Sequence, residues 1–140
     1  MMDKLAAVLV VAALAAVALL YVYASRPRGV ARVEEAPCPQ GPVEWSWAEG
    51  STRSYALFYD RGVVKPGEPV TVKVWVFTPV GEDRGDVLKV ELGGVELRHE
   101  FALRHTGMYL EACLRVTPLR PGRLILEWHG TRAAIDVAPG

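Results

Sequence analysis

The segment VKPGEPVTVKVWVFT, residues 64–78, carries the clearest period in the chain. After a Pro-Gly-Glu-Pro turn, Val70, Val72, Val74 and Val76 fall on one side, and Thr71, Lys73, Trp75 and Phe77 on the other. A period of two sends successive side chains to opposite faces of a strand, and β-branched valines suit a pleated, half-buried surface. The same period extends both ways. Upstream lie VEWSW (43–47) and RSYALFY (53–59); downstream, VLKVEL (87–92) and VELRHEFAL (95–103) are joined by Gly93-Gly94, a two-residue hairpin signal. In MYLEACLRV (108–116), Leu110, Ala112, Leu114 and Val116 share a side, and RLILEW (123–128) and TRAAIDV (131–137) flank a second short turn, His129-Gly130. About eight strands with regular turn signals and no amphipathic helix predict an all-β domain over 43–140, an antiparallel β-sandwich of about 7–8 strands.

The N-terminus obeys a different rule. Residues 5–23 contain no charge and are mostly Ala, Val and Leu. As a helix they would extend about 28 Å, close to the thickness of a hydrocarbon core. The run exceeds an ordinary signal-peptide core, and Tyr21 and Tyr23 sit where an aromatic interface belt is expected. The reading is one transmembrane helix, residues 1–25 acting as a membrane anchor with the lipid bilayer as its partner. Cleavage before Ser25 is the alternative. Residues 26–42, RPRGVARVEEAPCPQGP, hold four prolines and alternating charges, and read as an extended linker. Arg26, Arg28 and Arg32 would place the C-terminal side in the cytoplasm by the positive-inside rule. The paired cysteines and the domain type argue for an extracytoplasmic domain, which is the expectation adopted.

Sixteen basic residues balance sixteen acidic ones, which gives no field for nucleic acid. Asparagine is absent and Gln40 is the only glutamine, so no N-linked glycan can form. Loss of heat-labile amides fits a thermophile; GC-rich codon usage would produce the same bias. Cys38 and Cys113 are the only cysteines. In an exported domain they suggest one structural disulfide, which would pin the linker to the sheet, since Cys113 lies opposite the Leu/Ala/Leu/Val stripe. Two free thiols are the other possibility.

Residues able to do chemistry are few. By strand parity His99 sides with Leu97, Phe101 and Leu103 and reads as a core residue. His105 and Met108 could offer imidazole and thioether to copper(I), but nothing in the sequence brings His129 beside them. Glu82, Asp83 and Asp86 could hold calcium or form a solvated loop. The four serines lie in no nucleophile elbow, and the glycines form no phosphate-cradling loop. No enzyme, cofactor, metal site or small-molecule substrate is expected. Trp75, Phe77 and Lys73 stand opposite the valine stripe, and Val43, Trp45 and Trp47 share a face. They either cover another layer or form a partner surface.

The segments VKPGEPVTVKVWVF, TGMYLEACLRV and PGRLILEWHGTRAAIDV resemble immunoglobulin-like domains of bacterial and archaeal exported proteins. That resemblance implies a sandwich scaffold and no particular activity. Tyr109 stands four residues before Cys113 and Cys38 precedes the first strand, so the cysteines do not match the usual inter-sheet pair. GMYLEACLRV and PGRLILEW behind an N-terminal membrane helix are also similar to FixH- and YtkA-like proteins, which implies copper handling or assembly of a respiratory oxidase. By architecture the chain further resembles pilus and archaellum-associated components, although Lys4-Leu5 does not match their processing site. The expected function is a non-catalytic, membrane-anchored interaction or accessory module of the cell envelope with a protein partner, its contacts carried by loops 61–69, 79–86 and 104–107.

Overall fold

A computed structural model describes residues 2–25, 29–79 and 82–140. Arg26 and Arg28 of the flanking arginines, and residues 80 and 81 of the expected 79–86 loop, lie outside the described residues. The chain is one N-terminal apolar helix followed by a mostly β domain. Helix α1 covers Met2–Ser25, and its stretch Lys4–Tyr21 has mean hydropathy 2.4 with none of it buried against the rest of the protein. It is long and apolar enough to cross a membrane.

The strands are β1 (Ala31–Ala36), β2 (Ser46–Trp47), β3 (Tyr55–Tyr59), β4 (Val63–Val64), β5 (Val70–Phe77), β6 (Arg84–Leu92), β7 (Val95–Thr106), β8 (Tyr109–Pro118), β9 (Gly122–Trp128) and β10 (Thr131–Val137). Among the described residues ten strands replace the expected seven or eight, because β1 and β4 had no clear alternating pattern. The segment 43–47 narrows to the two residues of β2. Two separate sheets are also not what forms. The hydrogen-bonded order β2-β3-β5-β8-β7-β6-β9-β10-β4 is a single sheet curled into a half-barrel, with β1 attached to β8.

Strand β7 makes the curl continuous. Its residues 95–103 pair with β6, while Arg104, His105 and Thr106 pair with Glu111, Leu110 and Tyr109 of β8. Where β7 leaves β8, β1 takes its place. Ala36 stands opposite Cys113 and Ala31 opposite Pro118, in antiparallel register. The expected linker is therefore partly a strand, because the backbone groups on the vacated edge of β8 need partners. Glu35 closes the fork, its Oε1 accepting the Ala102 N–H of β7 at 2.8 Å. Glu35→Ala should cost about 1 kcal/mol, read as a lower urea midpoint, while Glu35→Gln keeps an acceptor and most of the stability.

Alternation explains the core. Val70, Val72, Val74 and Val76 of β5 are all buried, as are Leu110, Leu114 and Val116 of β8. Inside the curl they meet Leu88 and Val90 of β6, Leu124 and Leu126 of β9, and Ile135 of β10. Each fully buried leucine contributes about 2 kcal/mol by removing apolar area from water. Both predicted hairpin turns form. Gly93 and Gly94 have φ of 60° and 79°, and His129 and Gly130 have φ of 44° and 78°, the left-handed pair that two-residue hairpins require.

The edges of the curl meet at one seam. Glu49 and Arg132 exchange backbone hydrogen bonds at 2.9 and 2.8 Å, joining the segment after β2 to β10. Gly50 sits against this seam with φ 83°.

Candidate functional site

Antiparallel register places alternate residues of β2, β3, β5 and β8 on the convex face, away from the core. Trp47 stands opposite Phe58, Phe58 opposite Lys73, and Trp75 opposite Glu111. These pairings assemble a row of aromatic rings across four strands. Phe58 is its centre, meeting Trp47 edge-on at 4.6 Å, Trp75 at 5.9 Å and Trp45 at 6.4 Å between ring centroids. Trp75 stacks on Tyr109 at 3.9 Å, a diagonal cross-strand contact, and Phe77 meets Tyr109 edge-on at 5.6 Å.

Of the expected partner surface, Trp75 and Lys73 are half-buried, whereas Phe77 is 42% exposed and Trp47 is 61% exposed. Trp75, Phe77 and Lys73 thus lie together on the outer face, and Trp45 and Trp47 join them through Phe58. Lys73 Nζ pairs with Glu111 at 3.6 Å, so one salt bridge borders the rings. Trp45, Phe58, Lys73 and Trp75 enclose a small notch of about 80 Å³. Parity puts Tyr109 on the outer face of its strand, but nothing in the linear pattern joins it or Phe58 to Trp75. Both join the row only once the β3/β5 and β5/β8 registers are known.

Cys38 and Cys113 form a disulfide with Cα atoms 5.1 Å apart. Cys113 is 3% exposed although it lies on the outer face, because β1 and the bonded Cys38 segment cover it. The bond adjoins the aromatic row, since Cys113 is the register partner of Lys73.

The histidines do not converge. His99 follows its predicted parity but is only half-buried, near the rim of the core. His105 and Met108 lie on the exposed β7–β8 hairpin, with Met108 55% exposed instead of capping the core. His129 is elsewhere, its Nε2 2.8 Å from Asp86 Oδ2 and its ring 4.7 Å from Tyr55. The acidic segment is spent on local structure. Asp83 Oδ1 accepts the His105 N–H, and Asp86 Oδ1 accepts the Val87 N–H, each at 2.8 Å. Among the described residues no group of three or more His, Cys, Asp or Glu side chains could hold a metal ion.

The opposite outer face, on β6, β7 and β9, is ionic. Lys89 lies between Glu127 at 3.3 Å and Glu96 at 3.6 Å, and Arg98 also pairs with Glu96 at 3.2 Å. Glu127, by hydrogen bond and charge, and then Glu96 hold the Lys89 amine above its ordinary value of 10.5. A raised lysine adds stability below its unfolded pKa and loses it as pH rises through the folded one, so this network weakens only in strong alkali. One outer face is thus aromatic and the other charged.

Searches against protein-family models, curated proteins and solved structures found no match to this chain.

Proposed function

We propose that this chain is a single-pass membrane protein whose curled β domain stands outside the cytoplasm as a non-catalytic interaction module. The observation that carries the reading is the aromatic row Trp47–Phe58–Trp75–Tyr109–Phe77 on the outer sheet face, where the buried Phe58 and half-buried Trp75 and Tyr109 hold up the exposed rings of Trp47 and Phe77. Large rings held rigid by cross-strand stacking lose little entropy on binding, which is why tryptophan and tyrosine dominate binding hot spots. The disulfide supports an oxidising compartment and keeps the sheet beside the rings from fraying. The partner that fits is a protein of the membrane or envelope presenting an apolar patch with charges complementary to Lys73 and Glu111.

A photo-crosslinking phenylalanine analogue placed at Phe77 or Trp47 should trap one discrete partner in intact cells. The same analogue at Arg98, on the charged face, should trap none. Equal yields from all three sites would overturn the assignment of the face. Protease added to intact cells should release the domain by cutting between the helix and the sheet. Protection until lysis would place the domain in the cytoplasm and end the extracytoplasmic reading.

A further inference from the structure

The chain enters the sheet at one end. Gly29 turns with φ 49°, Val30 is buried, and the Val30 carbonyl accepts the Leu119 N–H at 2.9 Å. Only residues 26–29 separate this fixed point from Ser25, the last residue of α1. Fully stretched, that connection reaches at most about 18 Å. A helix held in a bilayer must therefore keep this end of the domain close to the lipid headgroups.

The composition of the end matches such a place. Strands β1, β5, β7 and β9 start there, so the turns 65–68, 92–95 and 119–122 surround the point of entry. Gly67 N–H donates to the Pro118 carbonyl at 2.8 Å, tying two of these turns together. Lys65, Arg120 and Arg123 are exposed, and none makes an ion pair among the described residues. Arg61 is neutralised by Glu68 at 3.2 Å, and Asp136 is the register partner of Arg123. Apolar side chains stand among the charges, with Val63 67%, Val95 40% and Leu119 37% exposed. The far end instead mixes Glu82, Asp83 and Asp86 with Arg53, Arg84 and Arg104.

We infer that this end is a lipid-contact face, where Lys65, Arg120 and Arg123 bind the anionic headgroups of the bilayer that holds α1, and Val63, Val95 and Leu119 enter its interfacial layer. Exposed cations beside apolar side chains are the combination that favours a membrane surface, and the short connection keeps them within the range of its charge. The domain then stands upright, its turns at 78–79, 106–108 and 129–130 pointing away from the bilayer. This inference rests on the proposal that α1 remains in the membrane.

The test uses the full chain in nanodiscs doped with a gadolinium-headgroup lipid, one set containing phosphatidylglycerol and one made only of phosphatidylcholine. Amide signals of residues 63–65, 67, 94–95, 119–120 and 122–123 should broaden most, and those of 78, 106–108 and 129–130 least. That contrast should weaken in the neutral discs, where only the short connection holds the end near the lipid, and also in a Lys65→Glu, Arg120→Glu, Arg123→Glu variant whose core signals are unchanged. An identical pattern in both lipids would mean that the connection alone positions the domain, and would overturn the headgroup contact. Uniform broadening, or broadening centred on the aromatic row, would overturn it as well. Alkaline carbonate washing of cell membranes separates the two proposals. Release of the chain defeats the anchor and this inference together, whereas retention without the nanodisc contrast defeats this inference alone.

Discussion

Replacing Cys38 and Cys113 together by alanine will destabilise the domain by about 4 kcal/mol, because the bond closes a loop spanning 75 residues that the unfolded chain would otherwise explore freely. For a domain of this size the loss corresponds to a fall in melting temperature on the order of 20 °C. The effect will also have a place. Strand β1 pairs with β8 alone and is held at its far end by the bond, so amide exchange over residues 31–36 should accelerate well beyond that of β5 or β9. A double variant that melts within a few degrees of the parent would show that β1 and the buried Val30 suffice to hold the edge.

The second large effect lies at the seam. A Cβ added to Gly50 would sit 2.3 Å from the Gly130 carbonyl oxygen, a backbone atom that cannot swing away, at a φ of 83° that side chains rarely adopt. Gly50→Ala should therefore cost about 3 kcal/mol or more and prise apart the Glu49–Arg132 pairing. Gly67→Ala is the comparison: φ is 87° there, but nothing lies within 4 Å, so only the backbone penalty of about 1 kcal/mol applies. Equal melting curves for the two variants would mean that the seam yields, and that Gly50 matters for its φ alone.

Much of the fold could be read directly from the chain, for a physical reason. Val70, Val72, Val74 and Val76 bury one face and leave Lys73 and Trp75 on the other, so burial writes its own period into the sequence. The left-handed turns at Gly93-Gly94 and His129-Gly130 announce themselves because few residues tolerate that backbone. Strand β1 had no such signature. ARVEEA is polar because an added edge strand needs only its backbone to pair, and its side chains mostly face water. The curl was hidden for a related reason. A strand such as β7 that serves both halves shows the same alternation as one confined to a single sheet, and only its pairing partners reveal the difference. The aromatic row was half legible. Trp75, Phe77 and Lys73 follow from parity on one strand, but Phe58 and Tyr109 join them only through register across three strands.

The path by which the chain leaves the helix also sets how the domain bears load. If α1 is held in a membrane and a partner pulls on the sheet, tension enters at Val30 and runs along β1, parallel to the strand. The hydrogen bonds between β1 and β8 are then strained side by side, instead of opening one after another from an end. Behind them the Cys38–Cys113 bond passes the pull covalently into β8, which lies between β5 and the paired edges of β1 and β7. Force arriving through the anchor is thereby delivered to the interior of the sheet, and the weakest edge strand is spared from acting as a zipper.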